Sequence, residues 1–350
     1  MHGRLRLPHL LTTLVAIAAL LVPLDGQAVS VAVTAPRADS SVDGPLLFVG
    51  WAPGEPGVTL FAAQPMQVPR ALVRQLPDNT IVAPSPRGRY IALAERERGL
   101  WLVNSDGTGL HRLLPSPPSH PGPTGGYQIG AVAWSPDCYT IAYAIAQPLG
   151  YPLYPPAPRG KPDGIWLVRY DGGPPRQLAT NAQLGVDGVG RLSFSSDGRT
   201  LAAVAYSGRT GYGVAIDVAT GRVEPLLGTV INVNDVQFSP ASAMLAYLAT
   251  ALAPIARSSH DYVAEDVLSV ADAQGGCRTA LVHSTLSTSL GNVAWAPAGR
   301  GVPYLRIAPP DTNAVDEIRS VDVATGRVRT LIIATPRQQL VSLAWMASQS

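Results

Sequence analysis

Seven oxygen-bearing side chains stand just ahead of short apolar runs in this chain: Asn79, Gln128, Asp187, Asn234, Asp235, Asn292 and Gln339. Carboxylate and amide oxygens suit a hard cation such as Ca2+, which gathers about six to eight of them. Held in one ring, such residues would make a cation-dependent hydrolytic site. Asp187, Asp235 and Asn292 are its best candidate ligands, although only Asp235 and Asn292 share a register when counted from the aromatic residue that closes each run. A second group suits recognition rather than catalysis. His120 and Tyr127, then Tyr151, Tyr154 and Arg159 beside Lys161, then Arg257, His260, Asp261 and Tyr262 lie in long polar or proline-rich stretches, and Tyr and Arg are favoured anchors of binding surfaces.

Other chemistries lack their residues. No serine has glycine two places before it, so the Gly-x-Ser-x-Gly nucleophile turn is missing. Of the six histidines, His2 and His9 lie in the N-terminal segment and the rest form no pair at metal-ligand spacing. Lys161 is the only lysine and the net charge is +2, so positive charge is scattered over arginines rather than gathered into a stripe for nucleic acid.

The elements that must position these residues are strands. The 350 residues are 46% hydrophobic and 14% charged, with 34 Gly and 33 Pro, a composition of short apolar runs punctuated by turns. One unit recurs. An apolar strand ends in an aromatic, turns through Ser-Pro-Asp-Gly and returns as a second apolar strand. Val132-Ala133-Trp134-Ser135-Pro136-Asp137 followed by Ile141-Ala142-Tyr143 is the clearest copy, with others around Phe194, Phe238 and Trp295, a degraded one at Val82 to Gly88, and a last one ending at Trp345. Pro presets the first turn residue and Gly accepts the left-handed conformation, so the motif is a hairpin turn. Ser195-Ser196-Asp197-Gly198-Arg199-Thr200 comes near the Asp box of sialidases, but its Gly is one place early and the ordinary turn is the better reading. Cys138 and Ser242 stand where Gly is expected, at a cost of about 1 kcal/mol if the left-handed conformation is kept.

A second piece supplies a third strand, a Gly-bearing turn and a fourth strand. Leu100-Trp101-Leu102-Val103 with Asp106-Gly107, and Ile165-Trp166-Leu167-Val168 with Asp171-Gly172, are two copies. Ile216-Asp217-Val218-Ala219-Thr220-Gly221-Arg222-Val223 and Val321-Asp322-Val323-Ala324-Thr325-Gly326-Arg327-Val328 are nearly identical to each other. Anchors at positions 85, 135, 195, 239, 296 and 346 give a repeat of roughly 50 residues, the length of a propeller blade. Six first strands are present but the last has no chain after it. Runs at 46–49, 58–62 and 70–76 supply the three missing strands, so the N-terminal strands and the C-terminal strand should share one blade and leave no open edge. The expected fold is an all-β, six-bladed β-propeller; a seven-bladed ring using Val31-Ala32-Val33 is the alternative.

These turns resemble the TolB-type, WD40-like propeller repeat (PD40), with its Ser-Pro-Asp-Gly first turn and Trp-x-x-x-x-Asp-Gly second turn. The resemblance covers nearly all of the chain after the N-terminal segment. It implies an interaction scaffold of bacterial envelopes, without the α/β domain that precedes the propeller in TolB, since too few residues lie between Val29 and Leu46.

In such a ring the loops between blades and those between second and third strands share one face. The insertions 115–130, 146–163, 250–263 and 308–315 all fall there, and that loop face is the expected binding surface. Cys138 and Cys277 belong to turns of non-adjacent blades, too far apart to bridge. Arg4 and Arg6 before the apolar run Leu10 to Leu24, with Gly26 and Ala28 beyond it, form an export signal over residues 1–28, leaving 29–350 as the propeller. The sequence therefore points to an exported propeller, periplasmic, extracellular or at the cell surface, that binds a protein or glycan partner, without catalysis or cofactor. The alternative is a Ca2+-dependent hydrolase of the lactonase or sugar-processing type with its site at the channel mouth.

Overall fold

The computed structural model describes residues 44–51, 54–65, 67–95, 98–115, 128–146, 163–254, 262–285, 287–309, 314–334 and 340–347. Residues 1–28, expected to form the export signal, and Val31 to Val33 lie outside them. No helix among the described residues is long and apolar enough to cross a membrane.

Six four-stranded antiparallel sheets make up the fold. The chain begins with β1 (Leu46–Trp51), β2 (Val58–Ala63) and β3 (Arg70–Leu76). Blade 1 follows as β4 (Ile81–Pro84), β5 (Tyr90–Glu95), β6 (Gly99–Asn104) and β7 (His111–Leu114), and blade 2 as β8 (Gln128–Trp134), β9 (Thr140–Ala146), β10 (Gly164–Arg169) and β11 (Arg176–Thr180). A single helical turn, α1 (Asn181–Leu184), leads into blade 3. Thr180 caps it, exchanging hydrogen bonds with Gln183 in a capping box. Blade 3 is β12 (Gly188–Phe194), β13 (Thr200–Ser207), β14 (Thr210–Asp217) and β15 (Val223–Pro225). Blade 4 is β16 (Val233–Phe238), β17 (Met244–Pro254), β18 (Tyr262–Asp272) and β19 (Thr279–His283). Blade 5 is β20 (Ser289–Val293), β21 (Gly301–Ile307), β22 (Glu317–Asp322) and β23 (Val328–Ile333).

The final strand β24 (Leu340–Trp345) pairs with β1, Leu46 opposite Trp345 and Phe48 opposite Leu343, and the sheet order β24-β1-β2-β3 makes blade 6. The closure expected from the sequence is therefore present. First strands β4, β8, β12, β16, β20 and β24 touch one another in cyclic order, so the ring has six blades.

The core is divided as this geometry requires. Six separate clusters of buried apolar side chains occupy the six seams between neighbouring sheets. Second strands are buried on both faces and so read as unbroken apolar runs, Ile91 to Ala94 and Leu201 to Ala205 among them.

Polar stitches fix each seam. The indole N–H of Trp134 donates to Ala83 O at 2.9 Å and that of Trp295 to Gln237 O at 2.8 Å, each crossing to the preceding blade. Phe238 has no such donor, and there the Ser193 hydroxyl of blade 3 accepts the Phe238 N–H at 2.8 Å.

The repeat motifs are turn devices. Ser195 Oγ accepts the Thr200 N–H at 3.0 Å and donates to Asp197 at 2.6 Å, while Asp197 accepts the Arg199 N–H. Asp217 and Asp322 each accept both the N–H and the hydroxyl of the threonine three residues on, which holds their carboxyl groups below the usual range. Cys138 keeps the left-handed conformation of the glycine it replaces, with φ 64°; Ser242 does not, and bonds its hydroxyl to Ser239 instead. Both cysteines are free.

Candidate functional site

Two features occupy the central channel, one at each level of the first strands. Arg191, Asp235 and Asn292 stand three places before Phe194, Phe238 and Trp295, and the ring brings them together. Asp235, only 2% exposed, receives the N–H groups of Val236 at 2.9 Å and Val293 at 3.0 Å and the side-chain amide of Gln237 at 3.2 Å. Arg191 Nε lies 3.7 Å from the same carboxylate, and its guanidinium donates to Asn292 Oδ1. Asn292, at φ 39°, in turn donates to Val341 O at 3.1 Å. One polar brace thus runs through blades 3, 4, 5 and 6.

This arrangement bears directly on the cation candidates. Asp235 and Asn292 converge as their register implies, but Asp187 stays apart, exposed, its Oδ2 accepting the Gly208 N–H at 2.7 Å. The Asp235 oxygens already face backbone donors and a guanidinium, so a Ca2+ ion would have to displace Arg191 to reach them. The three residues do not fit a cation. Arg191 is the member that sequence reasoning missed, although a lone arginine in a first strand, in register with Asp235 and Asn292, was the available signal.

The second feature is a funnel of about 440 Å³ at the first-turn end of the channel. Pro84, Trp134, Phe194, Phe238, Trp295 and Trp345, one from each blade, ring it, and turn prolines such as Pro136 and Pro297 form its rim. No side chain lining it is ionisable. Three of its serines are committed locally: Ser85 and Ser195 bind the N–H groups of their own turns and Ser193 binds Phe238. The volume falls within the range of small-ligand pockets, roughly 300 to 1,000 Å³.

With the ring and its channel established, similar solved structures can be set beside it. TolB from Acinetobacter baumannii is 15% identical, with a TM-score of 0.61 over 87% of this chain and 67% of that one. The fold is that of a TolB-like β-propeller. A putative TolB from Agrobacterium tumefaciens matches at 12% identity and a TM-score of 0.52, over 87% of this chain and 99% of that one. A chain of the nidogen/laminin complex matches at 14% identity and 0.59, again over 87% and 99%. Identities this low speak for the fold alone. No protein-family model matches the chain, and no curated protein does.

Most of the recognition residues named from the sequence lie outside the described residues: His120, Tyr127, Tyr151, Tyr154, Arg159, Arg257, His260 and Asp261. Tyr262 opens β18, paired with Pro254 of β17. On the opposite face the structure gathers a group that the sequence did not suggest. Tyr90, Trp134 and Tyr170 form a triangle of rings, with centroid separations of 5.5 Å, 6.4 Å and 6.4 Å, and Tyr139 adjoins Tyr170 at 6.0 Å.

Proposed function

We propose that this protein is an exported, non-enzymatic propeller that binds a protein or glycan partner, and that an apolar part of the partner enters the funnel at the first-turn end. The observation that carries the reading is the lining of that cavity. Six ring-bearing side chains surround it and none of its residues is ionisable at neutral pH to serve as acid or base, which suits recognition rather than acid–base bond cleavage. The brace at the other level supports the same reading, because its only buried carboxylate is taken by protein donors. A similar propeller belongs to the nidogen/laminin complex, a protein assembly. Export rests on the N-terminal signal, with the propeller as residues 29–350.

The test uses two rim residues that are exposed or half-buried, Ser196 and Ala347. Peptides selected from a random library against the purified 29–350 chain should carry apolar residues and lose at least tenfold in affinity for the S196R/A347R double variant, whose melting temperature stays unchanged. Selected peptides that bind the variant equally well would remove the funnel from the argument. A rise in melting temperature with Ca2+ that vanishes in Asp235→Asn would favour the hydrolase instead.

A further inference from the structure

We infer that the ring cluster of Tyr139, Tyr170, Tyr90 and Trp134 is a carbohydrate site, taking an uncharged pyranose chain across the first-turn face of blades 1 and 2. The site is distinct from the funnel interior, since neither Tyr139 nor Tyr170 lines that cavity.

The cluster is assembled from separate turns. Tyr139 follows Cys138 in the first turn of blade 2, and Tyr170 sits in the turn after β10, with its N–H bonded to Tyr139 O at 3.0 Å. Tyr90 opens β5 of the neighbouring blade, and Trp134 ends β8 on the funnel wall. Exposure grades across it, from Tyr139 at 54% through half-buried Tyr170 and Tyr90 to buried Trp134. A large aromatic left half in water at the edge of an aromatic cluster is the kind of surface that marks a contact.

The chemistry beside the rings selects the occupant. A pyranose offers an apolar C–H face to an aromatic ring and a fringe of hydroxyls that both donate and accept. Arg169 and Asp171 form a bidentate pair beside Tyr139 and Tyr170, at 2.9 Å and 2.7 Å, with guanidinium N–H groups and carboxylate lone pairs left for such hydroxyls. Arg89 lies over the Tyr90 ring at 5.1 Å, and Asp137 stands beside Tyr139. The two arginines and two aspartates cancel, which matches a neutral ligand rather than a phosphate backbone. A proline-rich peptide is disfavoured for a different reason. Aromatic grooves that take such peptides offer an indole N–H to a peptide carbonyl, whereas the Trp134 N–H is already bonded to Ala83 O.

The experiment titrates cellohexaose and chitohexaose, with a uronic-acid hexasaccharide and octaproline as comparison probes, into the purified chain, read by calorimetry. Saturable binding of a neutral hexasaccharide, weakened at least tenfold by Tyr139→Ala and again by Asp171→Ala, is expected; the exposed positions of both leave the melting temperature in place. The S196R/A347R rim variant should bind the sugar as the parent does, which separates this site from the funnel. No saturable binding of either neutral sugar at several millimolar overturns the inference. So does tighter binding of octaproline or the uronate, or sugar binding that Tyr139→Ala leaves intact.

Discussion

Replacing Asp235 by alanine isolates the contribution of the channel brace. In the native ring its two oxygens accept the N–H of Val236 and, across the seam, the N–H of Val293. Both donors are buried, so the variant leaves two backbone N–H groups without acceptors. A hydrogen bond to a charged acceptor contributes about 1.5 to 3 kcal/mol, and the pair sums to about 3 to 6 kcal/mol. Gln237 is partly exposed and Arg191 has a side-chain exposure of 29%, so water takes over their share and adds little. Large domains shift by about 2 °C per kcal/mol, which puts the melting temperature roughly 6 to 12 °C lower. Urea unfolding followed by tryptophan fluorescence reads the loss, with Trp295 reporting from the same seam. Asp187→Ala, which forfeits a single exposed contact to Gly208, should stay within about 1 kcal/mol of the parent. If Asp235→Ala costs no more than Asp187→Ala, the brace does not hold the blades and the reasoning fails.

Two further perturbations test local statements. Cys138→Gly should raise stability by about 0.5 to 1 kcal/mol, because Cys138 is held at φ 64° where other blades carry Gly88, Gly198 and Gly299; Gly198→Ala, whose added Cβ would lie 3.2 Å from Pro136 Cγ, should lower it. A Cys138→Gly chain no more stable in thermal unfolding would contradict the strain. Glu95 is 5% exposed with one oxygen lacking a partner, and burial raises its carboxyl above the usual value while Arg98 partly offsets it. A folded pKa raised above 4.5 means that the native state holds the proton more tightly. Its contribution is fully present below that value and is lost as pH rises through the folded pKa. Glu95→Gln should therefore stabilise the chain at pH 7 and flatten the acid side of its pH–stability curve, measured by urea unfolding at a series of pH values.

The ring was legible because its information is local. Ser-Pro-Asp-Gly and Asp-x-x-Thr-Gly state their turns in consecutive residues, and a strand buried on both faces announces itself as an apolar run. Closure followed from counting, since three unclaimed strands at one end and one at the other leave a single arrangement without open edges. The brace and the aromatic cluster depend on which blades stand side by side. Arg191 looks like an isolated surface arginine until β12, β16 and β20 line one channel. Trp134, Tyr139 and Tyr170 of blade 2 gain Tyr90 of blade 1 only across the seam between the two blades. Ser242 escaped for a third reason: a turn without glycine has a second solution, a hydroxyl bond to Ser239, that residue type alone does not reveal.

On the proposed reading, the two levels of the channel would let a rigid frame recognise a ligand without calling on its insertions. A first-strand tryptophan uses its N–H to stitch one blade to the next and leaves a ring edge at the funnel wall. The same residue thereby closes the ring and shapes the cavity, so the cavity is as preorganised as the fold. Binding to such a surface requires little ordering of the protein, which is the main cost that flexible loops impose on affinity.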